Sequence, residues 1–209
     1  MVIRRYRRAC GSAEAARWQA VAMSDTELWL VRHGATEWST AGRHTSITDL
    51  PLLPDGEETA VALGARLADV DFRLVLTSPR RRARHTAELA GFPDAEVTDD
   101  LAEWAYGDYE GLTNAQIRES VPGWTIWTGE SPGGETGAEV AARLDRVVGR
   151  AREVGGRTLA FAHGHSLRVL AARWLGLPPE DGRLLRLDTA TLSVLGYERE
   201  TPVVLRWNA

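Results

Sequence analysis

Two stretches of this chain end an apolar run in a histidine followed by glycine: LWLVRHG over residues 28–34 and LAFAHGHS over residues 159–166. The first delivers Arg32 with His33, the second His163, Gly164 and His165. A third apolar run, RLVLTS, leads into SPRRRARHTA at residues 78–87 and so brings Arg80, Arg81, Arg82 and Arg84 just beyond a strand-like segment. Guanidinium forks match phosphate oxygens in pairs, and amides at a helix amino terminus add partial positive charge. Two arginines, two imidazoles and such helix ends therefore suit a compact dianion. Phosphate is the candidate that these residue types imply.

These side chains must be held by strands that are apolar on both faces, as strands inside an α/β domain are. Glu27–Val31 predicts the first strand, RLVLTS the second and Arg157–Ala162 a third, with β-rich segments at Leu192–Tyr197 and Val203–Trp207. Asp55 with Glu58 three residues on has capping-box spacing and opens a helix over Val61, Leu63, Leu67 and Val70. Ser78 and Pro79 read as N-cap and first residue of a helix through Ala90. Further helices are expected near Glu135–Glu153 and over Ser166–Leu175. This alternation predicts an α/β fold, three-layer α/β/α around a mostly parallel central sheet, with chemistry at the carboxyl ends of the strands. Residues 101–134, rich in Trp, Gly and Pro, read as a long excursion over that edge, and offer Glu103, Asp108 and Glu110 as candidate working carboxylates.

The 209 residues contain no Pro/Gly/Ser-rich linker, which predicts one domain over residues 26–209. Residues 1–25 read as a disordered or upstream-start extension, with Met23 a second possible start. RRYRR is followed by no apolar h-region of a signal peptide, and no apolar run approaches the roughly 20 residues of a membrane span. The lone Cys10 excludes an internal disulfide framework, and the cytoplasm is the expected compartment. Of the net charge of −4, residues 1–22 contribute +4 and the rest −8, and all 25 basic side chains are arginine. An acidic body with a local positive pocket repels nucleic acid while admitting small anions.

RHGATEW, SPRRRARHTA, LAEWAYGDYEG and FAHGHSLR, in this order and spacing, resemble the histidine phosphatase (phosphoglycerate mutase-like) superfamily from about residue 27 onward. The resemblance implies that His33 forms a phosphohistidine, that Arg32, Arg82 and His163 surround the phosphate, and that Glu103 is the proton donor. No metal or other cofactor is implied. Only Arg82 of the arginine run matches the motif, which leaves Arg80, Arg81 and Arg84 to the surface or rim. Glu103 could protonate the departing oxygen if burial among Trp104, Tyr106 and Tyr109 keeps it in the acid form, and could then activate water.

The same positions carry plainer readings. His33 alone could be a core histidine, His163 with His165 could bind zinc, and His85 reads as exposed. Only about two dozen residues separate Gly111 from Gly134, without the insert of the mutases, so a phosphatase is expected, with a mutase as the alternative. The stretches at 42–56 and 103–111 are most similar to sedoheptulose-1,7-bisphosphatases and to bacterial acid phosphatases. By that resemblance Thr36, Ser39, His44, Thr45, Tyr106 and Gly164 line the pocket for a small phosphate ester. Ser39 stands where many relatives have Asn, which leaves its phosphate contact open. A non-catalytic phospho-ligand module and a protein phosphatase are the remaining alternatives. Trp124, Trp127, Trp174 and Trp207 are core or a dimer patch, and a homodimer is an expectation from relatives alone.

Overall fold

In β1 (Glu27–Arg32), Leu28 and Leu30 join one buried apolar cluster while Val31 joins another, with Trp29 packed against the second. Successive side chains of a strand point to opposite faces, so this strand is covered on both sides. The same alternation recurs in β4 (Arg157–Ala162), where Ala160 and Ala162 face the first cluster and Leu159 and Phe161 the second. The computed structural model describes residues 25–209. The amino-terminal extension, including Cys10 and the RRYRR run, lies outside the described residues.

The other strands are β2 (Leu74–Thr77), β3 (Glu96–Val97), β5 (Leu192–Glu198) and β6 (Thr201–Arg206). They form one six-stranded sheet in the order β3-β2-β4-β1-β5-β6. The pairs β1/β4, β2/β4 and β2/β3 are parallel, whereas β1/β5 and β5/β6 are antiparallel. The sheet is thus mostly parallel, as the alternation of elements predicts, with an antiparallel hairpin at its edge.

The helices are α1 (Glu37–Thr40), α2 (Pro54–Leu67), α3 (Arg81–Leu89), α4 (Asn114–Ser120), α5 (Gly137–Val154) and α6 (Gly164–Trp174). Leu63 and Leu67 of α2 and Ala87 of α3 cover one face. Val140, Leu144 and Val147 of α5 with Leu167, Leu170 and Trp174 of α6 cover the other. Each fully buried leucine of these layers adds roughly 1.5–3 kcal/mol of transfer free energy. Among the described residues no helix is long and apolar enough to cross a membrane.

Three boundaries differ from the sequence expectation. Helix α3 begins at Arg81, with Arg80 rather than Ser78 at the N-cap, because the Ser78 hydroxyl is held by a histidine described below. Helix α2 begins at Pro54, where a missing amide hydrogen costs nothing, and the Asp55 carboxylate accepts only from Gly56 N. Helix α6 opens two residues early, at Gly164, so its first amides face the end of the sheet. The excursion over residues 101–134 carries a 3-10 turn at Gly107–Tyr109 and a short α-helix, α4, capped reciprocally by Thr113 and Gln116.

Candidate active site

Parallel pairing sets the level at which the strands end. Arg32 lies opposite Ala162, and Thr77 opposite Phe161. One residue further, His33 N donates to Ala162 O (3.0 Å) and Ser78 N to Phe161 O (2.9 Å). His33, Ser78 and His163 therefore leave three adjacent strands side by side, and the His33 and His163 rings meet edge to face with centroids 5.2 Å apart.

His33 is almost fully buried, and its Nδ1 lies 2.8 Å from Gly34 O. A carbonyl only accepts, so Nδ1 carries the hydrogen and Nε2 keeps its lone pair. Burial holds His33 well below the ordinary histidine value of 6.5, and the Arg82 and Arg32 charges act in the same direction. The bond to Gly34 opposes them. The result is a neutral imidazole with a free nitrogen. Gly34 itself has no room for a side chain: a Cβ there would stand 2.4 Å from Gly56 O.

His163 is fully buried, with Nε2 2.6 Å from Ser78 Oγ and Nδ1 without a protein partner. Desolvation, then Arg82 and His33, push it well below 6.5 too. Arg82 is also fully buried and donates to three carbonyls of one loop: Thr48 O (3.0 Å), Thr45 O (3.0 Å) and Ser46 O (3.3 Å). Arg32 donates to Leu187 O (2.6 Å), and its fork passes so near Gly164 that a Cβ there would lie 3.3 Å from Cζ. The Nε atoms of Arg32, Arg80 and Arg82 are buried and unpartnered. Desolvated cations with spare donors, next to a bare imidazole nitrogen, form a receptor for an oxyanion.

The loop that holds Arg82 is itself held by Glu110. That carboxylate accepts from Ser46 N (2.9 Å), Ser46 Oγ (2.5 Å) and Thr48 N (3.0 Å). Burial alone would raise the Glu110 pKa, but the bonds from Ser46 and Thr48 prevail and it is lowered.

Glu103 is buried, though not in the apolar setting expected for an acid. It accepts from Trp104 N (2.9 Å) and from two amides at the start of α6, Ser166 N (2.7 Å) and His165 N (3.0 Å). These three amides are aimed at its oxygens and fix where the carboxyl group points.

Arg32, His33, Glu103, Tyr106 and Gly164 open onto a cavity of about 200 Å³. Its outer wall carries His44, Asn114, His165 and Arg168. His44 Nε2 lies 3.2 Å from Asn114 Oδ1, and its ring is 4.5 Å from that of Tyr106. Tyr106 O–H meets His165 Nδ1 at 2.6 Å. Burial raises the Tyr106 hydroxyl well above 10 and lowers His44 and, further, His165, so all three are neutral polar groups.

Of the pocket residues read from sequence, His44, Thr45, Ser39, Tyr106 and Gly164 lie on this wall. The Ser39 hydroxyl is taken up by Thr36 N and O, and Thr36 is fully buried as the cap of α1. Arg81 and Arg84 are exposed as expected, whereas Arg80 turns its Nε inward. His85 is partly exposed and 3.8 Å from Glu57. Trp124 and Trp174 are core, while Trp127 stacks under Arg168 at 4.5 Å. Among the described residues no three His, Cys, Asp or Glu side chains group as a metal site, and the H-x-H histidines bond to Ser78 and Tyr106 separately. Sequence reasoning weighed His165 only as a zinc ligand and missed its place on the pocket wall, along with Arg168 and with Asn114, whose role depends on where the excursion folds back.

Residues 28–209 match the family described as Histidine phosphatase superfamily (branch 1). The chain belongs to that superfamily. The phosphatase is 45% identical to an acid phosphatase of Mycobacterium tuberculosis over 175 residues, 82% of this chain and 86% of that protein. It is 38% identical to sedoheptulose 1,7-bisphosphatase of Saccharomyces cerevisiae over 181 residues, 71% of this chain and 67% of that one. A solved Mycobacterium tuberculosis structure superposes with a TM-score of 0.84 at 40% identity, covering 88% of this phosphatase and 97% of that chain.

Proposed function

We propose that this phosphatase hydrolyses small phosphomonoesters, sugar phosphates and bisphosphates among them, through a phosphohistidine on His33. The observation that carries the reading is the Nδ1–H bond to Gly34 O, which leaves His33 Nε2 unprotonated beside the spare donors of Arg32 and Arg82. In the first step the Nε2 lone pair forms the N–P bond while the ester P–O bond breaks. The departing oxygen keeps the bonding pair and takes a proton from the Glu103 carboxyl. In the second step Glu103 takes a proton from water, the new O–P bond forms, and the N–P pair returns to His33. Charge on the three equatorial oxygens is met throughout by Arg32, Arg82 and His163.

Two features support a hydroxylated metabolite as substrate. The yeast relative is named for a sugar bisphosphate. The outer wall presents His44, Asn114, Tyr106 and His165, neutral groups that can donate to and accept from hydroxyls.

The test compares wild type with His33→Ala, in EDTA, on sedoheptulose 1,7-bisphosphate, fructose 1,6-bisphosphate, 3-phosphoglycerate and 4-nitrophenyl phosphate. Phosphate release that disappears in the variant, with an acid-labile phosphoenzyme trapped from wild type, is expected. Isomerised phosphoglycerate without release would make the protein a mutase, and release by His33→Ala at the wild-type rate would end the phosphohistidine reading.

A further inference from the structure

Glu103 sits in a segment without regular secondary structure: residues 103–106 belong to no helix or strand. Its carboxylate is aimed by amides at the start of α6, yet the backbone that carries it must be fixed by something else. On α5, Arg143 is 8% exposed and points all its donors at that segment or its support. Its Nη1 donates to Asp100 O (2.8 Å) and Ala102 O (2.7 Å). Its Nε and Nη2 form a two-pronged pair with Glu135, at 2.8 and 3.0 Å.

Glu135 then holds the other side. Its Oε2 accepts from Ala105 N (2.9 Å), its backbone O from Trp104 Nε1 (2.7 Å), and its backbone N donates to Ala105 O (2.9 Å). Residues 100, 102 and 105 by their backbone, and Trp104 by its indole, are thus tied to Arg143 and Glu135, an ion pair whose side chains are 10% and 26% exposed. We propose that Arg143 and Glu135 are positioning residues for proton transfer by Glu103, clamping the backbone on either side of it.

This inference rests on the reading of Glu103 as the group that exchanges the proton. Its physical basis is the choice of partners. A largely desolvated ion pair adds little net stability compared with apolar packing, and this one spends its donors and acceptors on the backbone around Glu103. The guanidinium is planar and rigid: it reaches two carbonyls and a carboxylate at once, which a lysine ammonium cannot do from one point. An error of about 1 Å in a reacting group costs on the order of a hundredfold in rate, so fixing the backbone at Ala102 and Ala105 limits the movement of the carboxyl between them.

The experiment uses leaving groups that differ in their need for a proton. Phenolate is a strong base and needs one as it departs; 4-nitrophenolate is a weak base and needs little. The rate kcat/KM reports the formation of the phosphoenzyme, whichever later step limits turnover. It is measured on phenyl phosphate and 4-nitrophenyl phosphate for wild type, Arg143→Lys, Glu135→Gln, Glu103→Gln, the double variant Arg143→Lys/Glu103→Gln and Arg146→Ala. Arg146 pairs with Asp100 on the same segment, but its side chain is 62% exposed and it serves as the control.

Arg143→Lys and Glu135→Gln are expected to lose about tenfold or more on phenyl phosphate while staying within about threefold of wild type on 4-nitrophenyl phosphate. Glu103→Gln should show the same selective loss, the double variant no further selective loss, and Arg146→Ala none. Equal losses on both substrates would mean that Arg143 and Glu135 serve stability alone, and would overturn the inference while leaving Glu103 its role. No selectivity in Glu103→Gln would remove the reading of Glu103 and the inference with it. Should Arg143→Lys fail to fold, Glu135→Gln, which keeps an acceptor for Ala105, decides between these outcomes.

Discussion

Ser78 Oγ stands 2.6 Å from His163 Nε2 and also accepts from Arg80 N at 3.3 Å. With that amide already donating to it, the serine oxygen is free to turn its own hydrogen toward the imidazole. His163 Nε2 then accepts, and Nδ1 keeps the hydrogen as a buried donor without a protein partner. With the hydroxyl hydrogen turned that way, the serine favours the tautomer whose Nδ1–H can meet an oxyanion.

Ser78→Ala removes this selection without altering charge. We expect kcat/KM on 4-nitrophenyl phosphate to fall by about five- to tenfold, the worth of one hydrogen bond of about 1 kcal/mol or slightly more. Inactivation as deep as that of His163→Ala would show that the hydroxyl takes part more directly, and an unchanged rate would show that the tautomer is set elsewhere.

The pH dependence follows from buried imidazoles. His33, His163 and His165 are held well below 6.5, and His44 is lowered as well, each primarily by desolvation. Activity governed by neutral His33 should therefore persist as pH falls below 6.5. Stability should not. Below 6.5 the unfolded chain binds protons that the folded chain refuses, so unfolding becomes easier as pH drops toward the lowered folded values. Each such histidine contributes up to about 1.4 kcal/mol per pH unit within that window and nothing above it. Urea unfolding at pH 7.5, 6.5 and 5.5 checks the sign: a midpoint that holds or rises on going to 5.5 would contradict it.

Glu110 acts on the phosphate site through the loop it grips. Its bonds to Ser46 and Thr48 shape the turn whose carbonyls hold Arg82. Glu110→Ala should cost about 2 kcal/mol of stability, since charge-assisted bonds are lost and two amides are left to water. It should also weaken inhibition by vanadate, because Arg82 loses its fixed anchor. Destabilisation with an unchanged vanadate inhibition constant would uncouple the loop from Arg82.

Much of this arrangement was legible before the fold was known. Apolar runs that break at Arg32, His33 and His163 announce strand ends, because a buried strand tolerates such groups only where the core stops. The sheet and its covering helices follow from that same punctuation, while the resemblance to a phosphatase family rests on four motifs from RHGATEW to FAHGHSLR. What escaped depends on contacts distant in sequence. Ser78 has the composition of an N-cap, and only the neighbouring strand brings His163 to its hydroxyl. The aromatic residues around Glu103 are plain in the sequence, but the amides at its oxygens come from the early start of α6 at Gly164. Arg80, surface or rim by its place in an arginine run, is half-buried with its Nε enclosed, because it precedes the helix and escapes helical spacing.

Gly34 joins fold and chemistry in one position, and Gly34→Ala tests both. The carbonyl of this residue sets the His33 tautomer, while its Cα approaches α2 so closely that an added Cβ would stand 2.4 Å from Gly56 O, a backbone atom with little freedom to move. Relief requires the turn after β1 to shift, carrying the carbonyl away from Nδ1. Overpacking of this kind costs about 1–3 kcal/mol, which lowers Tm by roughly 5 °C for a chain of this size. The activity loss should exceed what that destabilisation explains, because at 25 °C the variant remains folded while Nδ1 and Nε2 compete for the hydrogen and part of the enzyme loses its free nitrogen. Thermal melting and kcat/KM measured on the same preparation separate the two effects. A lower Tm with wild-type kcat/KM would show that the tautomer survives the shift, and that the Gly34 carbonyl is not what holds it.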